Sequence, residues 1–145
     1  SKVSTHLIKR LSEVAIGKRN SIEIYGKDYN TYDGTAIRDY IHVSDLADIH
    51  VKVAKYLNDK SESNIFNCGY GKGFSVLDVI NTANKLYNNS VNYKFSSRRR
   101  GDVEKLVADV NKISKHINWI PKYNNLETII KSSVEWEKKI NEKNI

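Results

Sequence analysis

GKDYNTYDGTAIRDYIHV, residues 26–43, is the stretch from which the fold is read. Gly26, Asp28, Asn30, Asp33 and Gly34 are turn formers, so residues 26–37 predict a long loop. A loop of that length inside a compact domain is often functional. The next residues, Asp39 to Val43 (DYIHV), are rich in aromatic and β-branched side chains and predict a strand. Strand alternation would put Asp39 and Ile41 on one face and Arg38, Tyr40 and His42 on the other. Ser44 then reads as the N-cap of a helix running to about residue 58, with Leu46, Val53, Ala54 and Leu57 on its inner side.

Upstream, residues 4–16 predict an amphipathic helix through Leu7, Ile8, Leu11, Val14 and Ala15, stopped by Gly17. Ile22 to Tyr25 (IEIY) predicts a short strand. Downstream, Asn64 to Cys68 reads as a buried strand. Ser75 and Asp78 read as a capping box for a helix to Tyr87, with Val76, Leu77, Ile80 and Ala83 inward. Val91, Tyr93 and Phe95 alternate as in a strand. Asp109 reads as the cap of a helix over 110–116, closed by Trp119 and Pro121. A last amphipathic helix is expected over about 125–141 on Leu126, Ile129, Ile130 and Val134. Strands and helices alternate, so the fold class is α/β. About five short strands are too few for a complete doubly wound sheet.

The 145 residues suit one domain with its own core, at 39% hydrophobic and 28% charged residues. No apolar run approaches the ~20 residues that span a bilayer. A single cysteine, Cys68, predicts no internal disulfide and a reducing, cytoplasmic setting. The net charge of +7 favours anionic partners, or describes no more than a lysine-rich solvated surface.

Four motifs bear on chemistry. NIFNCGYGKGFSVLDV, residues 64–79, carries Gly69, Gly71 and Gly73 between strand and helix. Its G-x-G-x-G spacing departs from G-x-G-x-x-G and no acidic residue follows at the right distance, which argues for a tight turn over dinucleotide binding. Tyr56 and Lys60 make a Y-x-x-x-K match at a helix end, an ordinary surface terminus. His42 and His50 with Asp39, Asp45 and Asp48 are compatible with a metal site, but satisfied polar groups around a strand end are the better explanation. Arg98-Arg99-Arg100-Gly101-Asp102 offers guanidinium groups suited to phosphate, a glycine that lets backbone approach a ligand, and a carboxylate suited to ribose hydroxyls. A solvated basic loop or an RNA-binding patch are the other readings of that motif.

Taken together these strings resemble one family. Residues 26–43 are similar to the G-x-D-Y-x-T-x-D-G-T-x-x-R-D-Y-I-H-V stretch of UDP-glucose 4-epimerases, extended by Asp45-Leu-Ala-Asp48 and His50. Phe66 to Val76 resembles the family's N-x-G-x-G-x-G-x-S-V turn. Arg98 to Asp102 resembles R-R-x-G-D, with Val107-Ala-Asp109 at the family's spacing. Thr5-His-Leu-Ile8 opens the match, and the helix around Trp136 resembles the family's last helix.

The resemblance implies the C-terminal portion of an extended short-chain dehydrogenase/reductase, spanning residues 1–145 and lacking most of the Rossmann domain. In the family that other half binds NAD and carries the catalytic tyrosine and lysine, so no catalytic, cofactor or metal residue is expected here. The strand and helix at about 37–58 would pack on the Rossmann half, leaving Ile41, Val43 and Leu46 uncovered without it. The implied activity is interconversion of UDP-glucose and UDP-galactose at C4 through a 4-keto intermediate, in a homodimer, with neither nucleic acid nor membrane as partner. By position, His6 and Leu7 would meet the uracil region and Tyr25 its face. Arg38 and Arg99 would clamp the diphosphate, Tyr40 would bond near ribose and phosphate, and Asp102 would hold ribose hydroxyls. Leu106 stands where some members carry a larger tyrosine beside the sugar, which keeps UDP-N-acetylglucosamine open as a substrate. A related nucleotide-sugar epimerase or dehydratase (a UDP-glucuronate-type epimerase or a 4,6-dehydratase), a basic nucleic-acid-binding module using Arg98 to Arg100, and an inactive remnant are the alternatives.

Overall fold

Helix α1 (Leu7–Ala15) presents Leu11 and Val14 inward because they recur at helical spacing. It ends in a Schellman turn, where Gly17 N–H donates to Val14 O and Lys18 N–H to Glu13 O. The computed structural model describes residues 5–60 and 63–142. Strand β1 (Ile22–Tyr25) lies beneath α1 and sends Ile22 and Ile24 into the same core. Val79, Ile80 and Ala83 of α3 (Val76–Leu86) and Leu126, Ile130 and Val134 of α5 (Leu126–Glu142) complete that cluster. Helices α1 and α5 are further joined by a Lys9–Glu137 ion pair and a 2.8 Å hydrogen bond between the Ser12 and Ser133 hydroxyls.

Two small sheets carry the loops. Strand β1 pairs in parallel with β4 (Tyr93–Ser96), in register from Ile22 opposite Tyr93 to Tyr25 opposite Ser96. In the second sheet β2 (Ile37–Arg38) lies between β3 (Phe74–Ser75), antiparallel, and β5 (Lys105–Leu106), parallel. A second, smaller cluster joins Ile49 of α2 (Val43–Lys60) to Ile113 of α4 (Asn111–His116) and to Ile117.

The capping box at α3 forms as expected: the Ser75 hydroxyl accepts from Asp78 N–H at 2.9 Å, and the Asp78 carboxylate accepts from Ser75 N–H at 3.0 Å. Ser75→Ala removes this cap together with the hydroxyl's bond to the Asp33 carboxylate and should cost about 2 kcal/mol, read as a lower denaturant midpoint at unchanged slope. Asp109 also acts as expected, accepting from Asn111 N–H at 2.9 Å where α4 begins.

Four expectations are corrected. The strand expected at 39–43 is only two residues long and lies earlier, at Ile37–Arg38. Past Arg38 the backbone turns to side-chain partners, with His42 N–H donating to the Tyr70 hydroxyl at 3.1 Å. Helix α2 is capped by His42, not Ser44: the His42 Nδ1 accepts from Ser44 N–H at 3.1 Å. Residues 64–68 have no strand pairing among the described residues, and Ile65 is 83% exposed. On α2, Leu46 and Val53 do pack inward, but Ala54 and Leu57 face out with Val43, Ala47 and Val51.

Candidate functional site

The two parallel strands β1 and β4 end side by side, at Tyr25 and Ser96. The chain leaves β4 through Arg98, Arg99 and Arg100, reverses, and returns as β5 beside β2. The reversal is a turn closed by Asp102 N–H donating to Arg99 O at 3.2 Å, with Gly101 at φ 86°. A Cβ there would meet nothing within 4 Å, so backbone conformation alone calls for glycine. Ligands of α/β proteins commonly bind beyond the carboxyl ends of parallel strands, where this turn lies.

Four side chains converge on it. The Arg99 guanidinium lies over the Tyr25 ring, 4.0 Å from its centroid. Its Nε is 3.4 Å from Asp102 Oδ2, and Arg38 approaches Asp102 Oδ1 from the other side at 4.0 Å. Two guanidinium groups thus share one carboxylate, which leaves a net positive site. The Tyr25 hydroxyl donates to Glu23 at 2.6 Å, and that bond, with burial, raises its pKa against the fields of Arg99 and Arg10. The phenol is therefore committed to Glu23, and what Tyr25 can offer a ligand is its ring, over which Arg99 lies. Leu106 is 64% exposed and lies in register with Arg38, so both belong to the same face of the second sheet.

Tyr40 is half-buried against the main core. Burial pushes its pKa well up, opposed by the nearby Arg38 charge. Leu7 also rests against the main core, whereas His6 is exposed one turn before Arg10 on α1. Arg10, whose field reaches Tyr25, and Glu23, which holds the Tyr25 hydroxyl, escaped the sequence reading. The alternation that places residues 23 and 25 on one strand face was the available signal.

The three arginines are not equivalent. Arg98 turns away, stacking on the Tyr29 ring at 4.1 Å and donating from Nε to Asp28 at 2.8 Å. His42 and Asp45, near α2, have separate partners. His42 stacks on Tyr123 and bonds Ser132 at 2.9 Å, while Asp45 accepts from the Tyr70 hydroxyl and from the N–H groups of Lys122 and Tyr123. Among the described residues, no three His, Cys, Asp or Glu side chains gather as metal ligands.

The glycine-rich turn at 69–73 already holds an anion, and it is internal. The Asp39 carboxylate accepts from Tyr70 N–H at 3.1 Å, Gly71 N–H at 2.9 Å and Ala108 N–H at 3.4 Å. A Cβ on Gly69 would lie 2.5 Å from Asp39 Oδ2 and 2.7 Å from the Ala108 Cβ. The turn is thus filled by protein and does not fit the pyrophosphate of a dinucleotide.

Residues 1–69 match the NAD dependent epimerase/dehydratase family. The chain is 44% identical over 138 residues to the UDP-glucose 4-epimerase of Azospirillum brasilense, covering 95% of this chain and 40% of that protein. Its fold superimposes on the UDP-Glc/GlcNAc 4-epimerase of Campylobacter jejuni with a TM-score of 0.83 at 45% identity, covering 94% of this chain and 41% of that one. It also superimposes on the UDP-glucose 4-epimerase of Stenotrophomonas maltophila with bound NAD and formylated UDP-arabinopyranose. There the TM-score is 0.92 at 30% identity, covering 98% of this chain and 42% of that one. The chain therefore spans about two-fifths of the length of these relatives and corresponds to their C-terminal part.

Proposed function

Because the chain matches the C-terminal part of UDP-glucose 4-epimerases over almost all its length, we propose that it is the nucleotide-sugar-holding part of such an enzyme. The observation that carries this reading is the convergence of Tyr25, Arg38, Arg99 and Asp102 at the ends of β1 and β4. The Tyr25 ring stacks on uracil, Arg38 and Arg99 hold the diphosphate, and Asp102 accepts from ribose hydroxyls. His6, Leu7 and Tyr40 border the uridine, and Leu106 borders the sugar. The Arg99 guanidinium leaves the Tyr25 ring for the diphosphate as ligand enters. A charge-assisted bidentate contact is stronger than an exposed cation–π contact, so phosphate wins that competition.

The substrates are UDP-glucose and UDP-galactose. This chain supplies binding and orientation, the use of remote binding energy that lets a reaction proceed at the sugar. NAD chemistry belongs to a Rossmann half that this chain's own glycine turn does not replace. The apolar stripe of Val43, Ala47, Val51, Ala54 and Leu57, on one face of α2, is the surface that this half covers. The whole enzyme is read as a homodimer. Nucleic acid is disfavoured because Arg98 is tied to Asp28 and Tyr29, which breaks any continuous basic face. Among the described residues no helix is long and apolar enough to cross a membrane.

Calorimetric titration with UDP tests this reading. Saturable one-to-one binding, tighter than that of uridine, is expected. A folded sample that binds no UDP at any accessible concentration would sink the assignment of these four residues.

A further inference from the structure

We propose that Asp39 is a positioning residue for diphosphate recognition, acting through the backbone and not by touching the ligand. The inference rests on the reading of the Arg38 and Arg99 cluster as a nucleotide site. Asp39 follows Arg38 directly, on the opposite side of the β2 chain. Its carboxylate gathers N–H groups from two separate segments, Tyr70 and Gly71 on one side and Ala108 on the other. Its own N–H donates to Leu106 O at 3.2 Å, extending the pairing of β2 with β5.

Strand β5 is only two residues long, too short to fix its own register. Ladder hydrogen bonds at Ile37 and Asp39 and the carboxylate grip at Ala108 supply what length does not. The register matters because β5 ends the excursion that carries Arg99 and Asp102. Strand β2 carries Arg38, and the 4.0 Å approach of Arg38 to Asp102 exists only while the two strands stay aligned. Asp39 thus sets the distance between the two guanidinium groups from behind. The glycine at 69 serves the same end, since any side chain there would displace the carboxylate.

Asp39→Asn keeps the volume and one acceptor oxygen but turns an NH₂ toward backbone donors. Titrations of wild type and variant with UDP and with uridine separate the possible roles. The expected result is a fall of about tenfold in UDP affinity with a smaller fall, about twofold, for uridine, because two guanidinium contacts depend on the alignment in UDP and uridine feels only the placement of Asp102. Gly69→Ala disturbs the same carboxylate from the other side without changing charge, and should lower the UDP-to-uridine ratio in the same direction. A purely structural clamp would lower the melting temperature and leave that ratio unchanged in whatever fraction remains folded. That result, equal losses for both ligands, or unfolding of both variants would overturn the proposal. Wild-type chain that binds neither ligand would instead remove the nucleotide reading itself, and this inference with it.

Discussion

Arg99→Ala is expected to weaken UDP binding by on the order of 10- to 100-fold, the largest loss from any single change at the site. The magnitude follows from the charge-assisted hydrogen bonds of a guanidinium to phosphate, about 1.5–3 kcal/mol, at 1.4 kcal/mol per tenfold. Arg38 remains in the variant, but it stands 4.0 Å from Asp102 and, with Arg99 gone, is the carboxylate's remaining partner there. It is then less available to the ligand. Arg99→Lys retains charge without the planar fork and should fall between the two. Arg98→Ala is the informative control. Its guanidinium is engaged with Asp28 and Tyr29, so its loss should leave UDP affinity within about twofold and change stability little, as exposed pairs do. Equal effects of Arg98→Ala and Arg99→Ala would mean that the run acts only as diffuse positive charge. Binding in all variants would then weaken together as salt is raised.

The difference between those arginines marks where the sequence stopped being informative. Residue types alone pointed to phosphate at the arginine run and to a ribose acceptor at Asp102. Which arginine turns inward depends on Asp28, seventy positions away in the chain, and no local pattern carries that. The elements read well where the signal was local. The box of Ser75 and Asp78 and the 3.6-residue spacing of Leu126, Ile130 and Val134 are both self-contained within one helix. Elements failed where long-range partners override propensity. Asp39 to His42 has strand-forming residues, yet Asp39 and Tyr70 take the chain's polar groups into a side-chain network. Residues 64–68 have strand composition without strand pairing among the described residues, and propensity cannot supply a partner. On α2, periodicity found an apolar face but not which of two faces the second cluster would take, because the helix has apolar side chains on both.

Asp45 carries the prediction of largest effect on stability. It is 1% exposed, and its carboxylate accepts from the Tyr70 hydroxyl at 2.6 Å, from Lys122 N–H at 3.0 Å and from Tyr123 N–H at 2.9 Å. Burial alone would push the carboxyl up. The bonds from Tyr70, Lys122 and Tyr123, with the His42 field, outweigh it and hold the pKa below its ordinary value. A group with a lowered folded pKa contributes its stability above the unfolded value, near ~3.9, and loses it as pH falls through the folded one. Asp45→Asn leaves an acceptor on one side only and sets an NH₂ against donors, so it should cost about 3 kcal/mol at pH 7. Denaturant unfolding at a series of pH values gives the check. The gap between wild type and variant should be constant above about pH 5 and narrow below about pH 4, as wild type loses what the variant never had. Glu13, also held low through Arg19 and Lys9 against its burial, adds acid lability to both proteins alike and leaves the difference untouched. A gap that stayed constant down to pH 2 would mean that Asp45 matters by its shape and not its charge. Tyr70 would then be placed by packing alone, although its hydroxyl serves Asp45 and its backbone N–H serves Asp39. That shared residue is how the turn at Lys122 and Tyr123 is joined to the two strands that carry Arg38 and Leu106.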